Sequence, residues 1–295
     1  MKNIFILIII FLFTGCNSYI ELNDLKIINA IGIEKNKENY TFYISLVNEL
    51  EIESDKSTTI KTLTANSIQE MLDKLSLSLS KKIYLAHLDL LVINEDIKSN
   101  DLKHLIEFFV NNHETREDFL VVSSKVPKEI LTNSKFKEIN DLVLINENTT
   151  SKAIYTTMYD VINNFYLHDK IYLSNIEYDN SLNLNGFKVL DNNKYETINK
   201  NDTLFINYLL NNINTYNYTK SCNNNYLYLN ILNSNTINKK DISITNEILI
   251  VNNYCNYKNF EIEEIFNNYL KDNISRFTNK KIEIKTTIRG QYENK

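Results

Sequence analysis

Glycine and proline are almost missing from this chain, with four of the first and one of the second in 295 residues. Gly15, Gly32, Gly186 and Gly290 stand far apart. They can build neither a glycine-rich phosphate loop nor the glycine-flanked elbow that presents a hydrolase nucleophile. Histidine is scarce at four and cysteine at three. No His or further Cys lies at ligand spacing from Cys222 or Cys255, and His113-Glu114-Thr115-Arg116 is not the HExxH pattern of a zinc site. Neither a metal nor another cofactor is therefore expected. Basic charge is short as well: 32 Lys and Arg face 37 Asp and Glu, for a net charge of −5. That balance argues against nucleic acid as a partner, since phosphate binding needs clustered Lys and Arg. Asn, Ile, Lys and Tyr are correspondingly abundant. Their codons are AT-rich, so an AT-biased genome accounts for the composition, including Asn223-Asn224-Asn225.

The longest apolar run, Ile4 to Phe13, is about half of the ~20 residues a membrane-crossing helix needs. It follows Lys2 and ends at Thr14-Gly15, as the core of a secretory leader does. Cys16 comes next. Phe-Thr-Gly-Cys resembles the lipobox of bacterial lipoproteins, with Phe13 where Leu is usual. On this reading residues 1–15 are a signal peptide and Cys16 is the lipid-attachment residue and first residue of the mature chain. Each buried CH₂ contributes ~0.8 kcal/mol, so a diacyl anchor holds without a basic patch. The nine steps from Cys16 to Leu25 span at most ~32 Å, so residues 16–24 form a short tether. In an exported chain oxidation is permitted. A bridge between Cys222 and Cys255 is open, and spacing alone does not decide it.

Hydrophobic content of 43% fits a folded chain. Residues 25–33, 40–47 and 58–65 read as strands, the first two antiparallel across a polar turn. Ser67-Ile68-Gln69-Glu70 has capping-box spacing and opens a helix whose stripe is Ile68, Met71, Leu72, Leu75 and Leu79. Residues 83–93 are apolar on both faces, as a central strand in a covered sheet is. A helix marked by Leu102, Leu105, Ile106, Phe109 and Val110 follows, then a strand at 119–126. Pro127 suits the first turn of a short helix, and Ile154 to Phe165 give another. Beyond a polar seam near 179–185 come strands at 184–190, 226–232 and 242–251, with a short helix near 203–210. A long helix through Ile262–Phe277 and a strand at 281–290 close the chain. The fold class expected is α/β, mixed α+β, in several domains. An N-terminal α/β domain spans 25–177, a smaller β-rich middle domain 178–257, and a short helix-plus-strand unit 258–295.

His87 and Asp89 share a face of the 83–93 run, but nothing nearby in sequence supplies a nucleophile within hydrogen-bond reach. His87 is expected to be structural, His104 to be solvated beside its helix stripe, and no catalytic residue is expected.

The order of segments resembles the spore germination lipoproteins, the Ger(x)C subunits of nutrient germinant receptors. The features in step are Asn23-Asp24-Leu25 leading to Ala30-Ile31-Gly32-Ile33, His87 in its strand, and Arg116 at a helix exit. Gly186-Phe187-Lys188 and Arg289-Gly290 match further along, over a third domain shorter than the family's. The resemblance implies a lipid-anchored, non-enzymatic protein on the outer face of the spore inner membrane. Its implied partners are the receptor A and B subunits, and it leaves open whether this subunit touches a nutrient. A reading from another class is a solute-binding lipoprotein of a membrane transporter. It expects two similar lobes around a ligand cleft.

Overall fold

The computed structural model describes residues 24–47, 58–79, 81–191 and 194–291. Strands β1 (Leu25–Lys35), β2 (Tyr40–Val47) and β3 (Thr58–Ala65) form an antiparallel start. Helix α1 (Ile68–Leu79) returns along the sheet to β4 (Lys82–Tyr84) and β5 (Leu90–Asn94). Helix α2 (Ser99–Asn111) returns in the same way to β6 (Leu120–Ser124). Then come α3 (Pro127–Asn133), α4 (Phe136–Thr150) and α5 (Met158–Tyr166), followed by β7 (Ile171–Tyr178), β8 (Leu182–Asp191) and β9 (Lys194–Ile198). These strands make one nine-stranded mixed sheet in the order β3-β2-β1-β5-β6-β7-β8-β9, with β4 flanking β1.

Both faces of this sheet are covered, and β5 shows why its sequence is apolar throughout. Leu91 and Ile93 pack with the stripes of α1, α2 and α5, through residues such as Met71, Leu105, Phe109 and Val161. Leu90 and Val92 pack with Ile130, Leu131, Ile139 and Val143 of α3 and α4 on the other side. A sheet wrapped by helices on both faces needs this two-sided burial. In β1 a register shift between Ile28 and Ala30 breaks the period-two alternation. It places Ile28 on the same face as Ile31 and Ile33.

That irregularity also divides the expected 83–93 strand. β4 pairs only with the first residues of β1, Leu25 to Ile27, and β5 pairs with Ala30 to Ile33. Between them the Leu88 N–H donates to the Leu85 carbonyl at 2.9 Å, closing a turn, and the Asp89 N–H reaches the Asn29 carbonyl at 2.9 Å. The capping box at α1 is half realised. Ser67 Oγ accepts the Glu70 N–H at 3.1 Å, but the Glu70 carboxylate reaches back to the Asn66 N–H at 2.8 Å, one residue beyond the expected partner. Pro127 is the first residue of α3.

After α6 (Thr203–Leu209), a second sheet runs β10-β11-β12-β13, from Tyr216–Cys222, Asn225–Asn238, Ile242–Asn253 and Ile282–Gln291. Its strands alternate buried and exposed positions, β12 most cleanly. One face packs on α7 (Asn259–Ile274), through Ile262, Phe266, Leu270 and Ile274, one helical turn apart. β13 pairs parallel with β12, so α7 is the crossover between them.

The seam expected near 179–185 covers the tight turn between β7 and β8 and the first residues of β8, which pairs antiparallel with β7, so the first sheet runs on to Ile198. The helix and strand expected as a third unit complete the second sheet. Cys222 and Cys255 are joined in a disulfide with Cα atoms 5.9 Å apart, tying the end of β10 to the segment beyond β12. The first sheet packs on α6 through a small apolar cluster of Phe187, Val189, Ile198 and Ile206. Buried Asn207 bonds the carbonyls of Ser151 and Ala153 beside it, at 2.8 and 3.1 Å. The sheets differ in strand number, order and helical cover, unlike the similar lobes that the solute-binding reading expects.

Candidate functional site

Cys16 lies outside the described residues. His87 lies in the turn between β4 and β5 and is exposed, its ring edge-on to Tyr84 with centroids 5.8 Å apart. The expectation that His87 lies inside a strand is thus corrected by the break in the 83–93 run. Asp89 is also exposed. Its carboxyl is nonetheless partly shielded by neighbouring groups, and that desolvation pushes its pKa up against the pull of His87 and Arg116. Arg116 sits in the loop before β6 and pairs with Asp118. His104 is solvated on α2, with Nδ1 3.5 Å from Glu107. No group of three or more His, Cys, Asp and Glu among the described residues is placed to hold a metal ion.

Two polar constellations that sequence spacing does not reveal lie where the parallel strands end. In the first, Asp101 in the opening turn of α2 accepts from the Tyr40 hydroxyl at 2.6 Å and pairs with Lys35 at 3.1 Å. Its other oxygen takes the Lys98 N–H at 3.2 Å, at the helix N-terminus. Burial alone would raise this carboxyl. The Tyr40 hydroxyl, Lys35 and the Lys98 amide outweigh it and hold Asp101 below the usual carboxylate range. Lys35 also lies 4.0 Å from the centre of the Tyr40 ring, so the three side chains form one unit.

The second constellation closes the junction of β6 and β7, whose only paired residues are Ser123 and Asn175. Asn175 Nδ2 donates to Glu95 Oε1 at 2.8 Å, and Ser123 Oγ bonds Asn175 Oδ1 at 3.2 Å. Lys188, only 8% exposed, reaches Glu95 at 3.9 Å and Thr197 Oγ1 at 3.3 Å. Removing Glu95 would leave the buried Lys188 charge without its carboxylate, so the pair helps fix how β8 sits against the parallel strands.

Beside Tyr40 a groove of about 980 Å³ runs between α1 and α2. Ile68 and Leu72 line one side, Leu105 and Phe108 the other, and Ile83 and Leu85 lie along it. Polar side chains, among them Asn66, Gln69, His104 and Glu107, rim it. The arrangement offers surface for contact.

The glycines singled out in sequence have structural duties. A Cβ on Gly32 would come within 3.1 Å of both Pro127 Cβ and Leu131 Cδ1, so its absence lets α3 lie close on β1. Gly186 has a φ of 82°, a backbone conformation open to glycine.

Comparison with known proteins now fits this geometry. A family model described as the spore germination protein N-terminal domain matches residues 18–178, more than half of the chain and the greater part of the first sheet. Spore germination protein KC of Bacillus subtilis (strain 168) is 27% identical over 133 residues, 42% of this chain. That match covers 32% of the relative, so the chain is aligned to about a third of its length. A crystal structure of the GerBC protein superposes with a TM-score of 0.53 at 10% identity, covering 88% of this chain and 96% of that one. This likeness extends the shared fold into the second sheet. The chain belongs to the Ger(x)C family of spore germination proteins.

Proposed function

We propose that this protein is the C subunit of a spore nutrient germinant receptor, acylated at Cys16 and held on the outer face of the spore inner membrane. It works there by contact with the A and B subunits and carries out no catalysis. The observation that carries this reading is the family match over residues 18–178. The leader and the Thr14-Gly15-Cys16 sequence supply the means of attachment. None of the described helices is long and apolar enough to cross a membrane, so in this reading the acyl chains supply the hold.

A short leash also raises the effective concentration of the head around its partners, to about the mM range for short flexible linkers. A weak interface then suffices for assembly. The α1–α2 groove, apolar along its length and polar at its rim, offers such a surface.

Labelling with radioactive palmitate tests the anchor. The full chain takes up label and sediments with membranes, whereas Cys16→Ala loses both. Label retained by the Ala variant contradicts the assignment of Cys16.

A further inference from the structure

We infer that the end of the large sheet at which β1 begins is the face laid against the phospholipid bilayer. This rests on the proposed acylation of Cys16 and adds an orientation to it. The tether joins the folded head at Leu25, the first residue of β1, and spans at most ~32 Å from Cys16. β5, β6 and β7 run parallel to β1 in succession, so all four strands start at this end. Helices α1 and α2 return to it, because each leads into the start of a strand there.

Large apolar side chains are left uncovered at this same end. Leu77, in the last turn of α1, is 84% exposed, and Val110, in the last turn of α2, is 39% exposed. Tyr159 is 57% exposed, and its backbone N–H bonds the Glu117 carbonyl at 2.8 Å, just before β6. Tyr166 and Leu167, 57% and 69% exposed, stand a few residues before β7. Elsewhere Leu144 and Ile145 of α4 are exposed, Ile145 beside the β7–β8 turn and away from this end, and Leu210, Tyr226, Leu232, Ile237, Tyr254 and Phe260 are exposed after α6, around the second sheet and on α7.

Tyrosine flanked by leucine and valine suits the interfacial zone of a bilayer, where an apolar ring and a polar hydroxyl both find their solvent. Among the described residues, charges of both signs lie here and two pairs form, Lys82 with Glu114 at 3.1 Å and Arg116 with Asp118. The contact with lipid inferred from these side chains is apolar and interfacial.

The test uses the full acylated chain in vesicles of phosphatidylethanolamine and phosphatidylglycerol that carry a headgroup nitroxide lipid. A thiol-reactive fluorophore is placed at Leu167→Cys or, at the opposite end of the parallel strands, at Lys125→Cys. Both positions are exposed, so the fold tolerates the label. By the β6–β7 register Lys125 lies level with Glu177, six residues from the start of β7, or ~20 Å along the strands. The expected result is quenching at position 167 and none at position 125 in protein that floats with the vesicles. Floating protein quenched equally at both positions, at neither, or more strongly at 125 overturns the orientation alone. Protein that does not float overturns the anchor and the orientation together.

Discussion

Gly186 in β8 faces the carbonyl of Ile198 in β9 so closely that an added Cβ would run into that oxygen. Its φ of 82° adds a second reason for glycine. The oxygen is backbone and cannot swing aside. Gly186→Ala is expected to destabilise the protein by about 2–4 kcal/mol through strain and clash together. Urea unfolding checks this, with Gly290→Ala as a control, because a Cβ there meets only Leu249 Cδ1 at 3.5 Å.

The disulfide between Cys222 and Cys255 closes a loop with a sequence separation of 33. A loop of that size contributes about 3–4 kcal/mol by restricting the unfolded chain. Replacing both cysteines by serine lowers stability by about that amount and leaves the first sheet folded, since Cys222 ends β10 and Cys255 lies just beyond β12, both outside the first sheet. Unfolding curves of the oxidised protein, the reduced protein and the double variant check this. Reduction and substitution give the same loss.

Asp101 carries a pH dependence with a defined sign. Its folded carboxyl is held below the ordinary value by Tyr40, Lys35 and the Lys98 amide, against burial. The stability it contributes is thus fully present above the ordinary Asp pKa of about 3.9, and is lost as pH falls through the lower folded value. Asp101→Asn removes about 1–2 kcal/mol at neutral pH. It also flattens the acid limb of the stability profile below about pH 4. Thermal melts of both proteins between neutral and acid pH check the difference.

Much of this architecture is legible in the residues, and its gaps have physical causes. The stripes of α1, α2 and α7 are visible because each helix buries one face against a sheet. Helix α4 escapes notice because only Ile139 and Val143 are buried while Leu144 and Ile145 face solvent, which blurs the period. The 83–93 run reads as one strand because a turn made of Leu85, Ala86, His87 and Leu88 has no glycine or proline to mark it. The seam near 179–185 is polar because it is a hairpin turn; a turn and a linker share a composition.

The polar groups around Asp101 and Lys188 could not be found from spacing. Tyr40 and Asp101 are 61 residues apart, and Asn175 and Glu95 are 80 apart, so only the strand order brings them together. The Cys222–Cys255 bridge is of the same kind: permitted by the compartment, fixed by the pairing of β10, β11 and β12. By contrast, the resemblance to a family survives because it rests on the order of many segments, each weak alone.

The central claim is that this protein makes a nutrient receptor work by being part of it at the membrane. Germination of spores lacking the gene, against a panel of amino acids and sugars and against a non-nutrient trigger, tests that most directly. The account predicts loss of the response to at least one class of nutrient, an intact non-nutrient response, and poor rescue by the Cys16→Ala form. An unchanged response to every nutrient, in a strain with no second receptor, would contradict it.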